Sequence, residues 1–236
     1  MPVAKHWDSQ DVTKNKAGTM KEFQYPKDIY TEPDADVNTL ANLGPLTAMA
    51  GIWEGKRGLD INPKAEGAVK DPYIEHIELQ PIDPQTNGPQ LFYGLRYHIH
   101  IVQPNEVETF HDQVGYWLWE PATGNLLLTL SIPRGQTLIA TGNASVDAKK
   151  FTLTAQRGSL TNGIISNPFL EQSFRTESYT ITVTINNDGT WSYEQDTVMV
   201  IPNYDEPFHH QDRNRLTKVA EPTPNPLALA EQKGQL

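Results

Sequence analysis

The residue types best suited to chemistry gather near the end of the chain. Residues 207–219 read PFHHQDRNRLTKV, with His209 and His210 adjacent, Asp212 two positions on and Asn214 two further. A neutral imidazole ligates transition metals and carries protons near neutral pH, and a carboxylate beside it fixes its orientation. Neighbouring residues on a strand point to opposite faces. His209 and His210 therefore face opposite sides, while His210, Asp212 and Asn214 share one. That shared face either enters a cavity and holds something or forms a hydrogen-bond network that closes one end. In the second case Asp212 and Arg213 make surface pairs worth little.

Other candidates lie further up the chain. His98-Ile99-His100 puts two imidazoles on one strand face, with Glu106 and His111 close in sequence. A non-haem metal needs about three convergent ligands. The pair stands opposite Leu, Tyr and Ile, so it reads as solvent-facing, with a metal enzyme built on His98 and His100 as an alternative. His111 precedes an apolar stretch in FHDQVGYWLW and, on the residues alone, reads as capping a strand end. His76 alternates with Ile74 and is expected to face water. Pro133-Arg134-Gly135 interrupts two strands, because Pro removes a ladder donor and Gly permits a tight turn. An Arg fixed there reaches a carboxylate or sits in an exposed turn. Cys is absent, which excludes disulfides, thiolate metal sites and a Cys nucleophile. No Walker-type loop and no Gly-x-Ser-x-Gly elbow occurs, and GIWEGKRGLD lacks the strand-helix context of a dinucleotide site.

The elements that must position these groups are strands. In LFYGLRYHIHI, Leu91, Tyr93, Leu95, Tyr97, Ile99 and Ile101 alternate with polar residues, the period of a strand with one buried face. The same period places Leu126, Leu128, Leu130 and Ile132 on one face, Phe151, Leu153 and Ala155 on another, and Tyr179, Ile181, Val183 and Ile185 on a third. QVGYWLW is assigned Val114, Tyr116 and Leu118 as its apolar face. Asp188-Gly189 is a hairpin signal between two such runs. Leu40, Leu43, Leu46 and Met49 recur every three residues, a helical face that Gly44-Pro45 interrupts and that Asn38-Thr39 caps. Consecutive hairpins with few helices predict an all-β fold, an antiparallel up-and-down β-barrel of about ten strands with a short N-terminal helix. A barrel of that size encloses one small ligand. Trp53, Trp117, Trp119 and Trp191 read as core or barrel-end plugs.

Residues 1–38 are polar and aperiodic and read as an extended or flexible arm, residues 39–220 as the ligand-binding barrel, and residues 221–236 as a loose, weakly helical tail. The net charge of −10 and the lack of a basic stripe exclude a nucleic-acid partner. No apolar run approaches the roughly 20 residues of a membrane helix, and the first residues lack the apolar core of a signal peptide. The chain is read as cytoplasmic, without a membrane partner. The arm either covers the barrel mouth or packs on a second subunit in a homodimer.

Three stretches together resemble the nitrobindin-type haem-binding β-barrels, a fatty-acid-binding-protein-like family. Leu43, Pro45, Leu46, Gly51, Trp53, Gly55 and Gly58 match the family's opening helix and first strand. His111, Gly115 and Tyr116 match its mid-barrel His-x-Glu-x-Gly-aromatic segment, with Gln113 in place of the Glu. His210 is the best match to the histidine that opens the family's last strand, with His209 one residue off register. The resemblance covers about residues 39–220 and describes a longer branch. Ile132 to Gly135 has no counterpart in the short members, and the loop from Arg157 to Gln172 is longer. The resemblance implies haem b inside the barrel with His210 as proximal iron ligand, His111 near the pocket on its distal side, Asp212 behind His210, and Trp53 among the cofactor-contacting residues. It implies nitric oxide or peroxynitrite as the reacting small molecule, with isomerisation to nitrate as the reaction. A haem-free carrier of a fatty acid or similar amphipathic carboxylate, held through Arg134 or Arg96, is the alternative of another class.

Overall fold

The computed structural model describes residues 25–202 and 204–235; residues 1–24, most of the expected arm, lie outside the described residues. The chain opens with a short helix α1 (Thr39–Asn42) and a 3-10 turn (Gly44–Met49). Asn38 caps α1 by accepting from the Ala41 N–H, and the break falls at Gly44, whose φ is 54°. Leu43, Leu46 and Met49 are fully buried.

Twelve strands follow: β1 (Gly51–Lys64), β2 (Gly67–Pro81), β3 (Gln85–Asn87), β4 (Gln90–Val102), β5 (Thr109–Glu120), β6 (Asn125–Ile132), β7 (Gln136–Asn143), β8 (Lys150–Gln156), β9 (Ile164–Ser166), β10 (Arg175–Ile185), β11 (Trp191–Val200) and β12 (Phe208–Ala220). All but the three-residue β3 and β9 form a closed antiparallel barrel of ten strands, in which β2 pairs with β4, β8 with β10, and β1 with β12. Closure leaves those ten strands no free edge. Two short helices complete the fold, α2 (Pro168–Ser173) between β9 and β10, and α3 (Pro226–Gln232) after β12.

Strand direction divides the connections between two ends. The loops after β1, β4, β6, β8 and β11 gather at one end, the mouth, together with α2. The other end, the floor, carries α1, the 3-10 turn and the apolar plug. Residues 25–38 and the C-terminal tail also lie at the floor. Tyr25 Oη donates to Glu120 Oε1 (2.5 Å), and the Asp36 N–H donates to Tyr93 Oη (3.1 Å). The tail is not loose as expected. Asn225 is buried, donates from Nδ2 to the Val37 carbonyl (2.8 Å) and Asp83 Oδ1 (2.7 Å), and accepts from the Thr39 N–H (3.1 Å), which pins α3 to the barrel.

The period-two faces of β4, β6, β8 and β10 are as expected, but that of β5 is inverted. Val114 and Tyr116 are 47% and 42% exposed, while Trp117 and Trp119 are buried. Both registers of β5 are apolar, and the indoles, with the larger surfaces, take the inside. In β1 a bulge at Lys56-Arg57 shifts the register against β2, so that Trp53 and Gly55 before it share the inner face with Gly58, Asp60 and Asn62 after it.

At the mouth, Asn167 caps α2. Its Oδ1 accepts from the Phe169 and Leu170 N–H groups (2.8 and 3.0 Å), and its Nδ2 donates to the Arg134 carbonyl (2.5 Å). Asn167→Ala removes both roles. It is expected to lower stability by about 1 kcal/mol in urea unfolding, with faster amide exchange confined to α2 and the Arg134 turn.

Candidate functional site

The barrel encloses a cavity of about 460 Å³, within the range of small-ligand sites. Its apolar wall includes Ile99, Ile101, Trp117, Leu130, Leu138 and Met199, with Phe169 and Phe174 over the mouth. The polar part of the lining comes from β1, β2, β11 and β12, where Asp60, Glu75, Gln195, His210 and Asp212 stand among apolar residues such as Ile77 and Met199. Along β12 the inward residues are Phe208, His210, Asp212, Asn214 and Leu216, while His209 faces out and pairs with Asp196 (Nδ1–Oδ2 2.8 Å). Strand alternation thus answers which of the two adjacent histidines enters the barrel.

His210 meets two carboxylates there. Its Nε2 lies 2.7 Å from Asp60 Oδ1 and 3.7 Å from Asp212 Oδ2. Asp60 is held by Asn62, whose Nδ2 donates to Oδ2 (2.8 Å), and Asp212 by Gln195 (3.0 Å). Burial pulls the His210 imidazolium down, but the hydrogen bond to Asp60 and the charges of Asp212 and Asp60 outweigh it, so its pKa is raised. Burial, aided by the Asp60 charge, pushes Asp212 up to about 6 against the opposing pull of His210.

Deeper along the same wall, Glu75 is fully buried and accepts from Asn214 Nδ2 (2.8 Å) and Tyr193 Oη (2.9 Å); the Tyr193 and Tyr73 hydroxyls are 2.8 Å apart. Burial pushes Glu75 up to about 7, against the hydrogen bonds from Asn214 and Tyr193. Sequence reading missed Asp60 and Glu75. The signal for Glu75 was its register with Tyr73, Ile77 and Leu79. For Asp60 it was masked by the bulge.

His111 also lines the cavity, within the strand rather than as a cap, with Nε2 3.3 Å from Gln113 Oε1. Burial lowers its pKa against the hydrogen bond to Gln113, with Arg134 and His210 acting in the same direction as burial. Gln113 in turn donates to Tyr97 Oη (2.7 Å). Arg134 and Lys64 line the cavity at the mouth.

Two expected groups are elsewhere. Trp53 lies in the core beneath the cavity, not among its lining residues, donating from Nε1 to the Met49 carbonyl (2.8 Å) and stacking edge-on against Trp191. Arg96 is exposed on the outer face and cannot anchor a ligand in the lumen. The His98 and His100 pair is also outside. His98 pairs with Asp112 (2.9 Å) and His100 with Thr109 (3.0 Å), and His98 borders a surface groove with Val114 and Tyr116. Among the described residues, the one His/Asp/Glu group whose ligand atoms converge is Asp60, His210 and Asp212.

Trp191 adds a further sign of a ligand. It lines the cavity, and its indole Nε1 is buried with no hydrogen-bond partner among the described residues. Buried donors of this kind are rare, and an acceptor carried by a ligand satisfies one.

Comparison with known proteins agrees with this architecture. The crystal structure of Rv2717c from M. tuberculosis superposes with a TM-score of 0.53, covering 76% of this chain and 96% of that one at 21% identity, a likeness of fold. No curated protein sequence matches the chain. A family model described as the THAP4-like, heme-binding beta-barrel domain matches residues 42–218, most of the chain and the whole of the closed barrel but its last two residues. The chain belongs to this haem-binding β-barrel family, whose nitrobindin-type members its opening motif resembles.

Proposed function

We propose that the cavity holds haem b with His210 as the iron ligand, and that nitric oxide or peroxynitrite is the small molecule it meets. The observation that carries this reading is His210 itself, an imidazole entering an aromatic and aliphatic cavity in a chain of a haem-binding family. The residues fit the group in kind. The apolar wall and the Phe169–Phe174 cover suit a macrocycle, and Arg134 and Lys64 at the mouth would offer cations to its carboxylates. Bound haem supplies an iron that takes a diatomic ligand at its open face and exchanges electrons with it.

The chain's own residues do the rest. For His210 to ligate through Nε2 it would have to release Asp60 from that nitrogen, which Asp212 also approaches, at 3.7 Å. His111, its pKa lowered by burial and its ring backed by Gln113, offers a hydrogen-bonding group to a small polar molecule in the cavity. The apolar wall excludes water from it. Peroxynitrite isomerisation has no net change in protons or electrons, so the chain's residues would have only to admit and orient the small molecule, while the bound iron would supply the chemistry.

A fatty-acid carrier is the weaker reading. Asp60, Glu75 and Asp212 line one wall and repel a carboxylate, which leaves only the mouth for a head group.

Haem titration of the purified protein, followed by visible absorption, tests the proposal. A saturable Soret shift at one equivalent is expected, retained in His209→Ala and lost in His210→Ala. Nitric oxide should then shift the band again. Equal Soret bands in wild type and His210→Ala, or none in either, would overturn it.

A further inference from the structure

We infer that Asp60, His210 and Asp212 form a seat for a bare divalent transition-metal ion, of the Mn²⁺, Fe²⁺ or Zn²⁺ kind, independent of any porphyrin. The first ground is geometry. One imidazole nitrogen and two carboxylate oxygens all lie within 4.8 Å of one another and open on the cavity. Three protein ligands with the remaining positions facing a cavity are the pattern of a reactive rather than a structural metal site.

The second ground is charge. Asp60 and Asp212 are directly opposite one another on β1 and β12, and Asp71 stands opposite Asp60 on the other side, on β2. Like charges directly opposite on adjacent strands repel. Here three aspartates run in a row across the barrel wall, the middle one 3% exposed. Among the described residues no Lys or Arg pairs with Asp60 or Asp212, and His210 is their one ion-pair partner. Even with that imidazole protonated, two ionised carboxylates leave one negative charge uncompensated, and the Asp60 side chain is only 4% exposed. Such a charge is costly unless a cation joins it.

The third ground is support from outside the triad. Asn62 donates to the Asp60 oxygen turned away from His210, and bridges to Asp71 (2.9 Å). Gln195 donates to Asp212. These amides fix the carboxylates as outer partners of metal ligands do. The donor set selects the ion class. An imidazole suits Zn, Fe and their neighbours and carboxylates suit Mn, whereas Ca²⁺ requires six or more oxygens.

Such an ion and haem iron are alternative occupants, since each takes His210. The inference therefore does not rest on the haem reading, and the two fail separately. The test uses the full chain, stripped of metal with a chelator and free of porphyrin, titrated with Zn²⁺ and with Mn²⁺ by calorimetry. One equivalent of at least one ion should bind. Affinity should fall by more than about 10-fold in Asp60→Asn and in Asp212→Asn and stay unchanged in His98→Ala, which alters only the outer pair. Circular dichroism and urea midpoints of the metal-free variants check that each is folded. Should one aspartate variant fail to fold, the other still decides.

No saturable binding of either ion overturns the inference, as does binding unaffected by a folded aspartate variant or lost in His98→Ala. A Soret band without ion binding leaves the haem proposal standing and sinks this one. Ion binding without a Soret band does the reverse. Where both occur, haem should displace the ion.

Discussion

Glu75→Gln is expected to be more stable than wild type by about 3 kcal/mol at pH 8.5 and nearly equal to it at pH 4. Glu75 is fully buried and accepts hydrogen bonds from Asn214 and Tyr193, and among the described residues no cation pairs with it. Burial pushes its folded-state pKa up to about 7, while an unfolded Glu titrates near its ordinary value of 4.5. Between those two values the native barrel keeps a proton that the unfolded chain has lost. Stability is therefore full below the lower value, falls as pH rises through the window, and levels off above about 7. Each pH unit in the window costs about 1.4 kcal/mol. The amide of the variant stays neutral throughout and escapes that loss. Its extra N–H has an acceptor to hand, since the Tyr193–Tyr73 hydroxyl pair can run in either direction. His210 and Asp212, whose folded pKa values are also raised, slope the same way in both proteins and cancel in the difference. Urea unfolding at the two pH values reads the result. A variant destabilised equally at both would mean that Glu75 is ionised and structurally required in the native state.

The architecture was legible because most strands carry one apolar face. In β4, β6, β8 and β10 only one register is apolar, and period two fixes the inside. In β5 both registers are apolar between Val114 and Trp119, so pattern alone could not choose, and the larger indoles decided. The site was legible in part for the same reason. Parity alone puts His210 inside and His209 outside, and carries Asp212 with His210. Asp60 escaped notice because the bulge at Lys56-Arg57 flips the register of everything after it, and nothing in GIWEGKRGLD announces that flip. Glu75 escaped for a different reason. A buried carboxylate is credible only with its partners in view, and those are Tyr193 and Asn214, 118 and 139 residues away. The docked tail likewise depends on Asn225 reaching Val37, Thr39 and Asp83, which no local pattern displays.

Asp60→Asn should act in opposite directions on the two candidate occupants, abolishing tight divalent-ion binding while strengthening haem binding roughly 10-fold. Haem iron and the two carboxylates would compete for a single nitrogen. Both carboxylates approach Nε2 of His210, with Asp60 Oδ1 at 2.7 Å and Asp212 Oδ2 at 3.7 Å. An iron taking that nitrogen must first displace Asp60. A hydrogen bond to a charged group is worth about 1.5–3 kcal/mol, against about 1 for a neutral one. Replacing the carboxylate by an amide therefore lowers the cost of freeing the imidazole by about 1–2 kcal/mol, on the order of ten-fold in affinity. Asn62 can keep its hydrogen bond to the oxygen of the amide, so the wall need not rearrange. A bare ion has no such competition to escape, because for it Asp60 is a ligand, and an amide loses the charge that offsets the ion's own. Parallel titrations of wild type and variant with haem and with Zn²⁺ separate the cases by sign. If the variant binds haem more weakly, Asp60 supports the ligated ring instead of competing for it. The imidazole would then have to turn on binding, presenting Nε2 to iron and its other nitrogen to the carboxylate.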